Sequence, residues 1–265
     1  MKNTLTKPQL LFLTVITLLL IVFAASQKEA TASFIWKTFH TPRIALIIHN
    51  DAEFSFEIGN YYFNAEGSGV YDQEKAKKYF TKTLDLDSGH MFARHQLARI
   101  SFLRGDFEEA IGIINTQIEL HGDLVVSSYY VRGLIYGFVG SLNEAERDFL
   151  HFISVKDNNW GGYNDIAWVY FQKGDYARAL EYASKGLLLA PESPWLLTTK
   201  GVVLMNLGEN TEAISHLEKA LKLTLELEPH SWSQTNPGND PRIAKEGLSR
   251  MEEIIRENLR LASGE

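Results

Sequence analysis

The chain has no cysteine among its 265 residues. That absence removes disulfides, thiolate zinc sites, cysteine nucleophiles and lipid attachment through an N-terminal cysteine. Positive charge is also short, with 26 Lys and Arg against 33 Asp and Glu, a formal charge of -7 and a pI near 5.7. Residues 1–32 carry Lys2, Lys7 and Lys28 against Glu29 alone, so the rest is more acidic than the whole. A nucleic-acid surface needs clustered cations to displace counterions, and scattered lysines on an acidic chain do not form one. Nucleic acid is therefore not an expected partner. Among the eight histidines no two stand at the HxxxH spacing that sets two ligands on one helical face, and His90 and His95 are five apart. No GxSxG elbow and no GxxxxGK[ST] phosphate loop occurs, and Gly67-Ser68-Gly69 has no strand before it. Glu108-Glu109 and Glu252-Glu253 fall where helices face water, not in the desolvated cleft a general acid needs. These absences predict no metal, no cofactor and no catalytic residue.

What the sequence does have is 45% hydrophobic and 12% aromatic residues, enough for a substantial core. Between Lys7 and Lys28 lie 20 uncharged residues, 8–27, dominated by Leu, Ile, Val and Phe. As a helix this run is about 30 Å long, the thickness of a bilayer's hydrocarbon core. Two readings stand. Residues 1–32 are a transmembrane anchor, or they are a signal peptide cleaved at Ala30-Thr31-Ala32 or near Ala24-Ala25-Ser26. The run is long for a removable segment, which favours the anchor. Lys2, Lys7 and the terminal amine crowd the leading side, so the N-terminus is expected to be cytoplasmic and the remainder extracytoplasmic in a single-pass protein; cleavage would leave it secreted or periplasmic. Residues 33–51 read as a connector in which Thr41-Pro42 opens a short helix or a strand over residues 43–48.

The rest is periodic. Gly105, Gly140, Gly174 and Gly208 recur at spacings of 35, 34 and 34. In step with them run Ala76, Ala110, Ala145, Ala179 and Ala213, and a third series of Gly59, Ala98, Gly133, Ala167 and Gly201. Two antiparallel helices approach closely only where small side chains meet bulky ones, and a glycine between them lets the chain reverse. We therefore expect Ala179 to face Ala167. The period divides a solenoid over 52–229 into repeats 52–90, 91–125, 126–159, 160–193 and 194–227. The first is widened by the glycine-rich stretch Ala65 to Val70. A linker over 230–240 then leads to a capping helix over 241–265, with Ile243, Leu248, Met251, Ile254, Ile255 and Leu259 on one face and charge on the other. Trp232 in the linker is expected to tuck against that cap.

The unit from Tyr163 through Ala167, Gly174 and Ala179 to Pro191 resembles the tetratricopeptide repeat, and the resemblance covers roughly 52–227. It implies an all-α, right-handed α-solenoid whose first helices line a concave channel. It also carries ligand-facing positions onto Phe56, Asn60 and Phe63; Phe92, His95, Arg99 and Phe102; Tyr130 and Leu134; Asn164, Trp168 and Phe171; and Trp195, Thr198, Val202 and Met205. Trp168 and Trp195, on adjacent first helices, are the strongest candidates for a binding hot spot. A family subset grips a terminal carboxylate with lysines, asparagines and an arginine. Of that set only Asn60 is kept, with Phe56, Ser127 and Val131 where the cations would stand. An extended apolar or aromatic peptide, or a helix, fits better. The reading is a non-catalytic scaffold held at the membrane through residues 8–27 and binding a protein or peptide ligand. The alternatives are an accessory subunit of a membrane-associated enzyme or secretion complex, and an enzyme.

Overall fold

The computed structural model describes residues 14–18, 27–63, 70–229, 231–232 and 243–264. Among the described residues regular structure is helical throughout, with no strand. A pair formed by α1 (Lys28–Phe39) and α2 (Pro42–Ile48) is followed by five longer pairs. These are α3 (Ala52–Phe63) with α4 (Gln73–Leu86), α5 (Ala93–Leu103) with α6 (Phe107–His121), and α7 (Ser127–Phe138) with α8 (Leu142–Val155). Then come α9 (Trp160–Gln172) with α10 (Tyr176–Leu189) and α11 (Pro194–Asn206) with α12 (Asn210–Leu225), and α13 (Ala244–Ser263) closes the array.

The pairs are built by the registers seen in the sequence. Gly105, Gly140, Gly174 and Gly208 take φ values of 81, 78, 75 and 81°, the left-handed region in which a Cβ clashes. The residue after each donates its N–H to the carbonyl five positions back, as Asp106 does to Ser101 and Asp175 to Tyr170, both at 2.9 Å, which satisfies helix-end carbonyls. Starts are capped by side chains: Asp72 accepts from the Lys75 amide at 2.9 Å and Asn159 from the Gly162 amide at 2.9 Å.

Where helices of a pair cross, the small residue of the first meets a bulky one of the second. The partner lies one turn beyond the ladder alanine. A Cβ on Gly133 would stand 3.0 Å from the Phe149 ring, and one on Gly201 would stand 2.7 Å from Leu217 Cγ. Ala167 and Ala179, expected to face each other, are both fully buried in the same kind of crossing. Gly201→Ala should therefore lower stability by about 1–3 kcal/mol through overpacking, read as a lower urea midpoint. An unchanged midpoint would mean that α11 and α12 slide apart freely.

Residues 33–51, read as a connector with a helix or strand over 43–48, contain the end of α1 and the whole of α2, with Pro42 opening the helical alternative. Ala32, Trp36, Ala45 and Leu46 are buried in one cluster with Phe54, Tyr62 and Phe80, so this pair caps the array's N-terminal end. Ala30-Thr31-Ala32, a candidate cleavage motif, thus sits inside α1 with Ala32 wholly buried. Most of the apolar run 8–27 lies outside the described residues. Among the described residues no helix is long and apolar enough to cross a membrane.

At the other end residues 241–242, the start of the expected capping helix, also lie outside the described residues. Ile255 packs with Leu197, Leu217 and Ala220, and Met251 and Leu259 lie against them. Ile243 and Ile254, assigned to the same face, are exposed: the packed row is Met251, Ile255 and Leu259 at four-residue spacing, Ile254 stands one position off it, and Ile243 precedes the helix. Trp232 does tuck against the cap: a Cβ on Gly247 would meet its ring at 2.5 Å.

Candidate functional site: the inner wall of first helices

Successive first helices touch one another, α5 with α7, α7 with α9 and α9 with α11, whereas successive second helices stand further apart. That asymmetry curves the array with the first helices inside. Their shared wall carries a seam of hydrogen bonds between repeats. Gln96 Nε2 donates to Asn60 Oδ1 at 2.8 Å, and His95 Nδ1 lies 3.1 Å from Ser128 Oγ. The Tyr130 hydroxyl donates to Asp165 Oδ2 at 2.6 Å, and Thr199 Oγ1 donates to Asn164 Oδ1 at 2.9 Å. Each bond joins equivalent turns of neighbouring first helices, so it fixes the repeats' relative pitch as well as satisfying a partly buried polar group.

The residues named from the sequence divide among three environments. Phe56, Phe63 and His95 are buried and do not line a surface. Phe56 packs on Phe80 and His90, with ring centroids 5.4 and 4.6 Å away, and Phe63 lies against Phe80 with the Arg99 guanidinium 4.8 Å above its ring. Helical spacing gave the angle of these side chains but not their depth. Asn60, Arg99, Tyr130 and Asn164 are half-buried members of the seam, Arg99 donating to Gln96 Oε1 at 2.6 Å. Leu134, Thr198, Val202 and Met205 are half-buried, and the Thr198 hydroxyl is turned onto its own helix at Pro194 O. Phe102 belongs to an aromatic group at the turn end, with Phe107 and the exposed Phe138. Phe92 is 41% exposed and Trp168 is 44% exposed. Trp168 stacks on Phe171 at 5.0 Å, and Trp195 lies 5.9 Å from Trp160.

Gln96, Ser128, Asp165 and Thr199 were missed. Gln96, Asp165 and Thr199 share one register, the sixth residue of their repeats, and a polar side chain recurring there was the signal available.

Burial shapes the charges of the wall. It pushes Asp165 up to about 6, opposed by the Tyr130 and Asn164 hydrogen bonds. Arg99 is pushed down to about 10 by burial. His95 is driven down to about 3, first by burial and then by Arg99. The unfolded chain protonates this histidine near 6.5 while the folded chain resists until about 3, so its contribution to stability is complete above 6.5 and is lost as pH falls. Asp165 acts with the opposite sign, favouring the fold at low pH and losing that contribution as pH rises through about 6. His95→Gln should flatten the fall in urea midpoint between pH 6.5 and 4.5; an unchanged pH slope would place the acid sensitivity elsewhere.

Comparison with known proteins agrees with this architecture. Profiles described as "Tetratricopeptide repeat" match residues 160–193, and residues 126–159 and 196–226. Human tetratricopeptide repeat protein 6 is 23% identical over 54% of this chain and 27% of its own length. Anaphase-promoting complex subunit CDC16 of Saccharomyces cerevisiae is 23% identical over 63% of this chain and 19% of its own length. The BBSome complex member BBS4 of Bos taurus is 29% identical over 48% and 24%. This chain spans less than a third of these relatives. Among solved structures, MamA (41-end) from Desulfovibrio magneticus RS-1 superposes with a TM-score of 0.58 at 14% identity, covering 67% of this chain and 97% of that one. YrrB, described as a TPR protein with an unusual peptide-binding site, gives 0.54 at 17%, covering 68% and 91%. Those identities speak for the fold alone. The matched segments and the stacked helical pairs together make residues 126–226 tetratricopeptide repeats within an all-helical solenoid.

Proposed function

We propose that this chain is a non-catalytic interaction scaffold whose inner wall holds a segment of a partner protein. The observation that carries the reading is Trp168, a tryptophan left 44% exposed on a first helix and braced by Phe171 instead of being folded into the core. Large rigid rings presented on a wall of ordered polar groups are what binding surfaces concentrate. Two relatives are named as members of multi-subunit assemblies and one structural neighbour as a peptide binder, which supports the same direction. An extended apolar or aromatic peptide, or a helix laid along α5, α7, α9 and α11, fits the wall.

The scaffold is further proposed to be held at a membrane through residues 8–27, N-terminus cytoplasmic and solenoid extracytoplasmic, with a secreted or periplasmic form as the alternative. The support is the uncharged run and its flanking lysines. The experiment uses the full chain with a C-terminal tag: carbonate washing, protease on intact cells or spheroplasts, and purification after mild crosslinking. Retention in the washed membrane, digestion from outside and a reproducible crosslinked protein are expected. A soluble, shortened product would contradict the tether, and absence of a crosslinked protein would contradict the scaffold.

A further inference from the structure

Among the described residues the partly buried acids are paired with bases except Asp51, which caps a helix start by accepting the Phe54 amide, and Asp165. Asp148 is held by Arg132 at 2.7 Å, and Glu146 by Lys173 and Arg178. Asp165 accepts the Tyr130 hydroxyl at 2.6 Å and the Asn164 amide at 3.3 Å, and among the described residues no Lys, Arg or His pairs with it. The charged side chains and the histidine of the helices packed on α9 are engaged elsewhere: Arg132 and Asp148 with each other, Glu144 with Arg147, Glu146 with Lys173 and Arg178, His151 with Asp123, Arg178 with Asp175, Lys185 with Glu181, and Lys200 with Glu212. Behind the carboxylate the wall is apolar, since the Tyr130 ring lies on Phe149 and Phe152 at 5.6 and 4.9 Å. A carboxylate's two oxygens offer about four acceptor sites, of which two hydrogen bonds occupy only part. One turn along the same helix face stands Trp168, exposed and stacked on Phe171.

We infer that Asp165 and Trp168 form a cation-recognition site on the inner wall, taking a lysine or arginine side chain of the partner segment. The ammonium or guanidinium group meets the free acceptor positions of Asp165, and the methylene stem or the cation itself lies over the Trp168 ring. This rests on the proposed use of the wall for peptide binding and adds the chemical class of one anchoring residue. It also explains an otherwise costly arrangement, because a half-buried carboxylate without a counter-charge is destabilising until something supplies one. With burial already holding Asp165 up to about 6, pairing with a cation returns it to a lower value and releases a proton, so cationic ligands bind more weakly as pH falls through 6.

The test is selection of a random dodecapeptide display library on the full chain, on Asp165→Asn and on Trp168→Ala. Asparagine keeps the shape and can still accept the Tyr130 hydrogen bond, and circular dichroism melting checks the fold of each variant. The wild-type pool should be enriched in Arg or Lys at one position and the Asp165→Asn pool should not. A peptide from the wild-type pool should lose about tenfold to hundredfold in affinity when its cation is replaced by citrulline or norleucine, a comparison that needs no protein variant. The inference is overturned if the wild-type pool lacks cation enrichment, if Asp165→Asn keeps it, or if the neutral peptide binds equally well. The broader reading of the wall fails separately, if no sequence is enriched or if Trp168→Ala selects the same pool as the wild type.

Discussion

Replacing Asp148 by alanine is expected to destabilise the protein by about 3 kcal/mol, the range for removing one partner of a buried ion pair. Arg132 Nε and Nη2 donate to the two Asp148 oxygens at 2.7 and 2.8 Å, and Nη1 donates to Asn115 Oδ1 at 2.8 Å. One guanidinium thereby joins α6, α7 and α8, tying the second repeat to the third. Without Asp148 the cation stays partly buried with a single amide acceptor. Lysine at position 132 does not reproduce the fork, because an ammonium cannot donate in parallel to two oxygens and reach a third group. The double change Arg132→Met with Asp148→Leu should recover most of the loss, since the pair contributes far less against an apolar isostere than its half-removal costs. Urea unfolding checks both. In a solenoid, contacts reach only neighbouring repeats, so Asp148→Ala should also broaden the transition as the two ends begin to unfold separately. A sharp transition with an unchanged midpoint would show that Arg132 does not couple these repeats.

The second large effect is on binding. Trp168→Ala should weaken the captured partner by about 2–4 kcal/mol, roughly thirtyfold to a thousandfold, while lowering stability by about 1 kcal/mol or less through the lost stacking on Phe171. The separation of the two effects follows from the exposure of Trp168, which is 44% open to solvent. Leu188 on α10 is the control. It is 85% exposed on a second helix, and Leu188→Ala should change neither quantity. Titration of the purified variants against the purified partner separates binding from folding. Equal weakening by both substitutions would mean that the partner does not use the first-helix wall.

The repeat was legible because its constraints are local. Gly105, Gly140, Gly174 and Gly208 are needed by backbone geometry, and Gly133 and Gly201 by the closeness of Phe149 and Leu217, so each leaves a mark at a fixed spacing. The α1–α2 pair was legible only in part: Thr41-Pro42 marked a helix or a strand over residues 43–48, but the run carries no period to choose between them, and Trp36 finds its partners Tyr61 and Tyr62 only in the folded chain. The wall was legible in part. Register places Phe56 and Trp168 on comparable helices, but whether a ring is buried depends on what packs over it: Phe56 is covered by Phe80 and His90, whereas Trp168 stacks on Phe171 and stays exposed. The isolation of Asp165 was invisible in sequence, because a missing counter-charge is a property of three helices at once.

The most direct measurement places a photo-crosslinking benzoylphenylalanine at position 168 in one protein and at position 188 in another, and irradiates each with the purified partner. Crosslinking from 168 and not from 188, into one continuous segment of the partner, is the result expected of a scaffold that works through its first helices. Crosslinking from 188 alone, or equally from both positions, would contradict it.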